Sequence, residues 1–364
     1  MTTPARVVVL PVREGPLEVQ EVTLPDPGQH QVVVRQVATG VCHSQLHQMH
    51  RPRTAPVVLG HESTGVVVAV GSAVTHVGEG DEVLVTWVPR AAEPGGRVPQ
   101  AATLTLADGS VAGSQNVFTW ADHTIADEGF VVKAPPGTPM DLASIVGCAV
   151  MTGAGAVRNT AGVRAGESVA VFGVGGVGLS AIAAAKVAGA NPIIAVDLSD
   201  EKLEFARSFG ATEVVNATSV DPVEAIRALT RRNDRVDILG QPVAGADHTF
   251  DCIGLRATME QIVPAARSGA FGLAPGGTAV LVGVPSTAVE LDARDVLINE
   301  KRFVGSIGGS CSPDRDFPVL LDWHREGLLD LGALVTERYT LDAINEATDA
   351  LQAGRIRGRA IVEL

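Results

Sequence analysis

The stretch Ser168-Val169-Ala170-Val171-Phe172-Gly173-Val174-Gly175-Gly176-Val177-Gly178 decides the fold of the second half of this 364-residue chain. Its first five residues predict a short buried strand, and the alanine-rich run 179–189 predicts a helix directly after the glycines. A second apolar run, 193–196, predicts the next strand and ends at Asp197. A strand, a glycine turn, a helix and a further strand are typical of a parallel sheet covered by helices on both faces.

The glycines of this stretch predict a dinucleotide site. Gly173, Gly175 and Gly178 have the G-x-G-x-x-G spacing, Gly176 and Val177 stand between them, and Asp197 follows about 20 residues further on. Such glycines let the backbone approach a pyrophosphate, which the helix N-terminus attracts. Asp197 would bind the ribose hydroxyls and repel a 2′-phosphate, which favours NAD over NADP. The alternative is a tight strand–helix corner without a ligand.

The rest of the chain divides by its pattern. The first third is β-rich with Gly/Pro corners, which indicates a compact barrel-like domain. Strands and helices alternate over 168–285, as in an open parallel sheet. We expect a loop over 91–114 and a helix over 139–161 around Cys148. An apparent insertion at 234–242 has no assignable role, and a surface loop is the default expectation.

Composition and charge restrict the class of protein. The chain has 46% hydrophobic and 19% charged residues, as expected of a two-domain globular enzyme. Its formal charge of −13 argues against nucleic acid or an anionic membrane as a partner. The N-terminus shows no apolar signal-peptide stretch, so we expect a cytoplasmic protein. The scattered cysteines are expected to be ligands or core thiols rather than disulfides.

Metal-binding side chains concentrate between Gly40 and Glu62. Cys42, His61 and Glu62 lie in two short clusters in this segment, and Cys148 is the candidate for a further ligand. These side chains bind a borderline-soft divalent metal, and a catalytic zinc needs three protein ligands and one open position. Taken singly, each has an ordinary explanation as a core thiol or a satisfied polar residue.

Three motifs in order carry a resemblance to a known family. They are Gly147-Cys148 followed by Thr152-Gly153, the stretch 171–180, and Leu281-Val282-Gly283-Val284-Pro285. With the Cys42 and His61 segments, they resemble the zinc-dependent medium-chain alcohol dehydrogenases, above all the class III, thiol-dependent formaldehyde dehydrogenase branch. The resemblance implies an α/β fold. A GroES-like β-rich catalytic domain would cover 1–149 and 308–364, and a Rossmann domain with a doubly wound parallel sheet would cover 150–307.

The resemblance also implies roles at the metal. Cys42, His61 and Cys148 would bind one catalytic zinc, with Glu62 behind it as an outer partner or alternate ligand. Zinc as a Lewis acid would stabilise the alkoxide that expels hydride. Ser44 would take the substrate proton and pass it, through a nicotinamide-ribose hydroxyl, to His47, because histidine exchanges protons near neutral pH.

Other residues are implied at the NAD cofactor. His43 would contact its pyrophosphate, and Lys202 would join Asp197 at the adenosine ribose. Arg359 is grouped with the cofactor residues and is also expected to pair with Glu62. The residues implied around the nicotinamide are Thr152, Val177, Val282, Val284 and Gly308.

Two features, a loop and Gln45, depart from the family, and Trp87 stands where the family places an aromatic residue that lines the pocket. The loop after the strand that ends at Val88 lacks the four cysteines of a structural zinc, so we predict one zinc per chain. Gln45 stands where the family has an acid that orients the zinc-binding histidine, which should make His61 a slightly weaker ligand. Trp87 would line the substrate pocket, where it suits aromatic or allylic groups as readily as small aldehydes.

We therefore expect an NAD-linked zinc oxidoreductase that interconverts an alcohol and an aldehyde or ketone, acting on a small molecule. The alternative enzyme is an NAD(P)H-dependent reductase of an activated C=C or C=N bond, which some family members become after losing relay or ligand residues. Ser44, His47 and the three ligands are all present, which favours the first. A non-catalytic NAD-binding protein would leave the zinc residues without a role. The family also implies a homodimer, with a homotetramer as the alternative.

Overall fold

The computed structural model describes residues 2–91 and 96–364. These residues form two compact units, one of Met1–Ala149 with Ser312–Leu364 and one of Val150–Cys311. Residues 92–95, which belong to the predicted loop and to the segment without structural-zinc cysteines, lie outside the described residues. In the described part of the chain, no helix is both long and apolar enough to cross a membrane.

The strands and helices have the following bounds. The strands are β1 (Thr3–Leu10), β2 (Glu18–Leu24), β3 (Gln31–Val41), β4 (Val57–Val58), β5 (Glu62–Val70), β6 (Glu82–Thr86), β7 (Thr103–Thr105), β8 (Val111–Gly113), β9 (His123–Asp127), β10 (Val131–Lys133), β11 (Val169–Phe172), β12 (Ile193–Asp197), β13 (Glu213–Asn216), β14 (Arg232–Val236), β15 (Pro242–Val243), β16 (His248–Asp251), β17 (Thr278–Leu281), β18 (Arg302–Gly305), β19 (Val335–Thr340) and β20 (Arg359–Glu363). The α-helices are α1 (His43–Met49), α2 (Met140–Ala143), α3 (Met151–Gly155), α4 (Gly176–Val187), α5 (Asp200–Phe209), α6 (Pro222–Leu229), α7 (Arg256–Ala265), α8 (Ala293–Ile298), α9 (Pro313–Arg325), α10 (Leu331–Leu334) and α11 (Ile344–Gln352). Short 3₁₀ turns cover Glu128–Phe130, Gly308–Ser310 and Leu341–Ala343, and π-helical turns cover Val146–Val150 and Ala156–Ala161.

The first unit is built around the long strand β3. One sheet has the order β10-β6-β5-β3-β20-β19, with β9 also pairing with β3, and a second has the order β2-β1-β4-β8-β7. The valines of β3 and β5 pack into a buried core because strand side chains alternate between the faces. Strand β20 runs antiparallel to β3, with Ala360 opposite Val41. This register brings the C-terminal strand beside the end of β3, where the candidate site begins.

The second unit is a parallel sheet with the order β13-β12-β11-β16-β17-β18. Its strand β11 is buried along its whole length and pairs in parallel with β12 and β16. A strand that is buried on both faces has a nearly continuous run of apolar residues. The run 168–172 therefore predicted a buried strand. The predicted open parallel sheet is confirmed.

Several local predictions were wrong. The expected loop 91–114 contains β7 and β8. The segment 234–242 is mostly exposed, as expected of a surface loop, but its ends belong to the antiparallel hairpin of β14 and β15. The expected helix 139–161 is broken into two short α-helices and two π-helical turns. Helix α1, at the metal-ligand segment, was not predicted. Elements of two to seven residues are too short to show a periodicity that stands out from the surrounding sequence.

Candidate functional site

The first cluster of metal-binding residues stands at the junction of β3 and α1. Strand β3 ends at Val41, and Cys42 is the extended residue that precedes the first turn of the helix. The Trp120 indole, fully buried, donates a hydrogen bond of 3.1 Å to the carbonyl oxygen of Gly40. The backbone that leads into Cys42 is therefore held by the sheet and by a core side chain.

The structure brings the predicted ligands together. Cys42, His61, Glu62 and Cys148 each offer a ligand atom, and these atoms all lie within 4.8 Å of one another. The two sulfur atoms are 3.8 Å apart, too far for a disulfide. Two thiolates on a tetrahedral zinc, each at about 2.3 Å, would stand at about this separation. The donor set and its spacing fit zinc.

His61 has one nitrogen left for a metal. Its Nδ1 lies 2.5 Å from Nε2 of the Gln45 amide. Its Nε2 is buried and has no hydrogen-bond partner within the described residues. A buried polar atom without a partner is costly, and a metal would satisfy it. The Trp87 ring stands edge-on to the imidazole, at 6.4 Å between ring centroids and 71° between planes.

Cys148 is positioned by hydrogen bonds to the residues on either side of it. Thr86 donates from Oγ1 to the carbonyl oxygen of Gly147 at 2.7 Å. The backbone N–H of Ala149 donates to Oε2 of Glu62 at 3.3 Å. The π-helical turn Val146–Val150 that carries the thiol is thus fixed to β6 and β5.

Glu62 is a buried partner of Arg359. Both side chains are buried, and a guanidinium N–H of Arg359 donates to Oε1 of the carboxylate. Burial raises the pKa of Glu62, although the charge of Arg359 acts in the opposite direction. Because Arg359 and the Ala149 N–H occupy both oxygens, Glu62 is better suited to support the cluster than to bind the metal directly.

The Cys42 and Cys148 thiols shift each other's pKa in opposite directions. The hydrogen bond from Cys148 lowers the pKa of Cys42 well below its ordinary value, against the opposing effect of burial, and Arg359 and His61 lower it further. The same hydrogen bond, with burial, raises the pKa of Cys148 well above its ordinary value. A divalent cation bound to both sulfur atoms would favour the thiolate form of both side chains.

The predicted relay residues lie together on α1. Ser44 is half-buried and donates from Oγ to the Cys42 sulfur at 3.3 Å. His47 is half-buried, one turn further along the helix, and its ring centroid is 6.4 Å from that of His43, which is exposed. Residues three or four apart share one face of a helix, so Ser44 and His47 lie on the same side of α1.

The glycine turn and Asp197, which carry the predicted dinucleotide site, lie in the second unit. Helix α4 begins at Gly176, immediately after the glycine turn, and Asp197 ends the neighbouring strand β12. The Asp197 carboxylate accepts hydrogen bonds from the backbone N–H groups of Val174 at 3.1 Å and Leu198 at 2.8 Å. A Cβ at Gly178 would collide with the carbonyl oxygen of Gly173, so only glycine permits this close approach of helix to strand.

The other predicted cofactor residues fall in both units. Thr152 is buried, and its hydroxyl has no hydrogen-bond partner in the described ranges. Lys202 is half-buried in the first turn of α5. Val177 and Val282 are half-buried, Val284 is exposed, and Gly308 is buried. Arg359 lies in the first unit on Glu62, and its contact with the cofactor stays a prediction.

Two residues that matter to the cluster were not predicted. A Cβ at Gly40 would collide with the Glu62 carboxylate, so glycine is required where β3 passes this side chain. Thr86 holds the Cys148 loop through a single hydroxyl. Neither has a sequence signal, because their roles depend on strand register between distant segments.

Comparison with known proteins identifies the family. Residues 28–136 match the family described as Alcohol dehydrogenase GroES-like domain, and residues 176–326 match that described as Zinc-binding dehydrogenase. Alcohol dehydrogenase class-3 of Cereibacter sphaeroides is 33% identical, over 93% of this chain and 94% of that protein. S-(hydroxymethyl)glutathione dehydrogenase of Paracoccus denitrificans is 32% identical, over 93% and 94%. The chain therefore belongs to the zinc-dependent medium-chain alcohol dehydrogenases.

A solved structure agrees with this assignment. The crystal structure of benzyl alcohol dehydrogenase from Acinetobacter calcoaceticus superposes with a TM-score of 0.84 at 30% identity, covering 100% of this chain and 99% of that one. The predicted family and the predicted combination of a GroES-like domain with a Rossmann domain are confirmed.

The buried pair of Glu62 and Arg359 leads to a stability prediction. We expect Glu62→Gln to lower the free energy of unfolding by about 3–5 kcal/mol, because it leaves the Arg359 charge buried without its partner. The matched control is Glu363→Gln on the same strand as Arg359, where the exposed pair with Arg338 should contribute less than about 1 kcal/mol. Urea unfolding with excess chelator measures both. Equal losses would show that the buried pair has no special role.

Proposed function

We propose that the chain is a zinc-dependent, NAD-linked oxidoreductase that interconverts an alcohol with an aldehyde or ketone. The observation that carries the proposal is the cluster of Cys42, His61 and Cys148, with a buried imidazole nitrogen that lacks a partner, in a member of this family. When bound, zinc supplies a Lewis acid that polarises an oxygen of the substrate. With three protein ligands, one coordination position stays open.

The chain's own residues would handle the proton. The Ser44 hydroxyl, beside the Cys42 sulfur, would accept the proton of a substrate alcohol at Oγ and at the same time pass its own hydroxyl proton on toward the His47 imidazole. His47, on the same face of α1, would then release a proton from its imidazole to solvent. The presence of both residues favours alcohol chemistry over reduction of a C=C or C=N bond, which does not need to remove a hydroxyl proton.

The second unit would bind NAD. Helix α4 would direct its unpaired N–H groups and positive dipole end at the pyrophosphate. Asp197 would accept hydrogen bonds from the ribose hydroxyls, and its charge would repel the 2′-phosphate of NADP. Three backbone N–H groups already orient this carboxylate, those of Val174, Leu198 and Ser199.

We infer that the substrate is an alcohol with a flat aromatic or allylic group. Trp87 supports this, because its half-buried indole stands beside the His61 ring and offers a flat apolar surface. The likeness to a benzyl alcohol dehydrogenase is consistent with the same class. A thiol adduct, as named for the Paracoccus denitrificans relative, is the competing substrate.

Metal content is the first prediction of this proposal. We expect purified protein to hold about one zinc per chain. Cys148→Ala should remove most of it, whereas Cys252→Ala changes a free thiol of the second unit and should leave the content unchanged. Elemental analysis after dialysis measures this. A content near zero or near two in the unaltered protein would refute the metal assignment.

Cofactor choice depends on Asp197. We expect Asp197→Ala to reduce the preference for NAD over NADP by at least about tenfold in kcat/KM, because the charge-assisted hydrogen bonds and the repulsion are lost together. Asp200→Ala, the same change in the first turn of α5, is the control and should retain the preference. Undiminished discrimination in Asp197→Ala would remove this role.

The substrate class is tested with a panel of benzyl alcohol, ethanol and S-(hydroxymethyl)glutathione, following the absorbance of NADH. We expect benzyl alcohol to be oxidised best.

The proton relay depends on Ser44. Ser44→Ala should lower kcat about 100-fold or more, with little change in zinc content, since general acid–base groups contribute at least that factor. Ser44→Thr keeps the hydroxyl and should retain most of the activity. If Ser44→Ala is as fast as the unaltered enzyme, Ser44 is not in the relay.

A further inference from the structure

The Gln45 side chain lies between the backbone N–H of Gly60 and the imidazole of His61. It is 1% exposed, on the first turn of α1. Its Oε1 accepts a hydrogen bond from the backbone N–H of Gly60 at 2.6 Å. Its Nε2 lies 2.5 Å from Nδ1 of His61. One amide therefore serves the backbone with one end and a predicted metal ligand with the other.

The Gly60 N–H fixes which end of the amide faces the imidazole. A backbone N–H can only donate, so the atom beside it has to be the oxygen, and the NH₂ group then faces His61. An amide NH₂ offers two donors and no acceptor. His61 Nδ1 must therefore accept, and in a neutral imidazole the proton then resides on Nε2.

That tautomer is the wrong one for a metal at Nε2. A histidine binds a metal through an unprotonated nitrogen, and its other nitrogen normally carries a proton that is donated to a carboxylate, a carbonyl oxygen or water. Nε2 is the nitrogen left without a partner in the described chain. A metal at Nε2 moves the proton to Nδ1. The Nδ1–H group then faces the NH₂ group of Gln45, and two donors cannot form a hydrogen bond with each other.

We propose that Gln45 is a positioning residue that holds His61 in the tautomer opposed to metal binding and so weakens zinc affinity. With zinc bound, the amide either keeps this orientation and leaves Nδ1–H of His61 without an acceptor, or turns over and leaves the Gly60 N–H without one. One buried N–H loses its acceptor in either orientation. The inference rests on the proposed zinc site, and it needs no assumption about the substrate or the reaction.

A carboxylate at this position would remove the conflict. Gln45→Glu has the same shape, and its two oxygens can accept from the Gly60 N–H and from Nδ1–H of His61 at the same time. Changes in such outer partners alter metal affinity by about 10–100-fold. We expect the variant to bind zinc tighter by a factor in that range.

The experiment has two readouts that do not use enzyme activity. Competition with a coloured chelator gives the zinc dissociation constant of the unaltered protein, Gln45→Glu and Gln48→Glu. The last variant is the matched control, because it adds the same charge one turn further along α1, where Gln48 contacts Gln115 and not His61. ¹⁵N NMR of histidine-labelled, metal-free protein reports which nitrogen of His61 carries the proton.

The expected result is an Nε2–H tautomer in the unaltered protein, an Nδ1–H tautomer in Gln45→Glu, and tighter zinc binding in Gln45→Glu alone. An Nδ1–H tautomer in the unaltered protein overturns the proposal, and this readout needs no variant to fold. Equal affinities of all three proteins, or an equal gain in Gln48→Glu, also overturn it while leaving the zinc site intact. If no protein binds zinc, the metal assignment fails and this proposal fails with it.

Discussion

The first unit depends on one buried ion pair, between Glu62 and Arg359. Glu62 begins β5 and Arg359 begins β20, and β3 runs between these strands. The pair therefore ties the C-terminal strand to the segment that carries the metal ligands. The same carboxylate also accepts from the Ala149 N–H, which fixes the Cys148 loop. Two buried charges far apart in sequence thus help to tie together the segments that carry the three predicted ligands.

The fold could be predicted from the sequence more fully than the site, because the site depends on contacts between distant segments, such as this ion pair. The glycine run 173–178 and Asp197 act through local geometry, a strand, a turn and a helix in succession, so their arrangement is readable from spacing alone. Cys42 and His61 stood out because metal-binding side chains cluster around them, and the resemblance to the family completed the ligand set with Cys148. The contacts that orient them come from strand register, and strand register is not readable from a single segment.

The elements that escaped prediction share one property, which is their length. Helix α1 has seven residues, of which only Gln45 and Leu46 are buried, so it shows almost no helical periodicity. Strands β7 and β8 have three residues each. Gln45 was singled out from its sequence context as a neutral side chain in place of an acid beside His61. In the structure its amide oxygen accepts from the Gly60 N–H, a contact that the sequence does not show.

The neutral amide at position 45 also affects the net charge of the buried cluster. In the loaded centre two thiolates would balance a divalent cation, and Arg359 balances Glu62, so the buried group would be close to neutral as the chain stands. A carboxylate at position 45 would satisfy both N–H donors but would add an uncompensated negative charge, whose desolvation cost is largest when no metal is bound. Hydrogen bonding favours an acid here and burial favours an amide. With Gln45 the buried cluster stays close to neutral, but one N–H lacks a hydrogen-bond acceptor when zinc is bound.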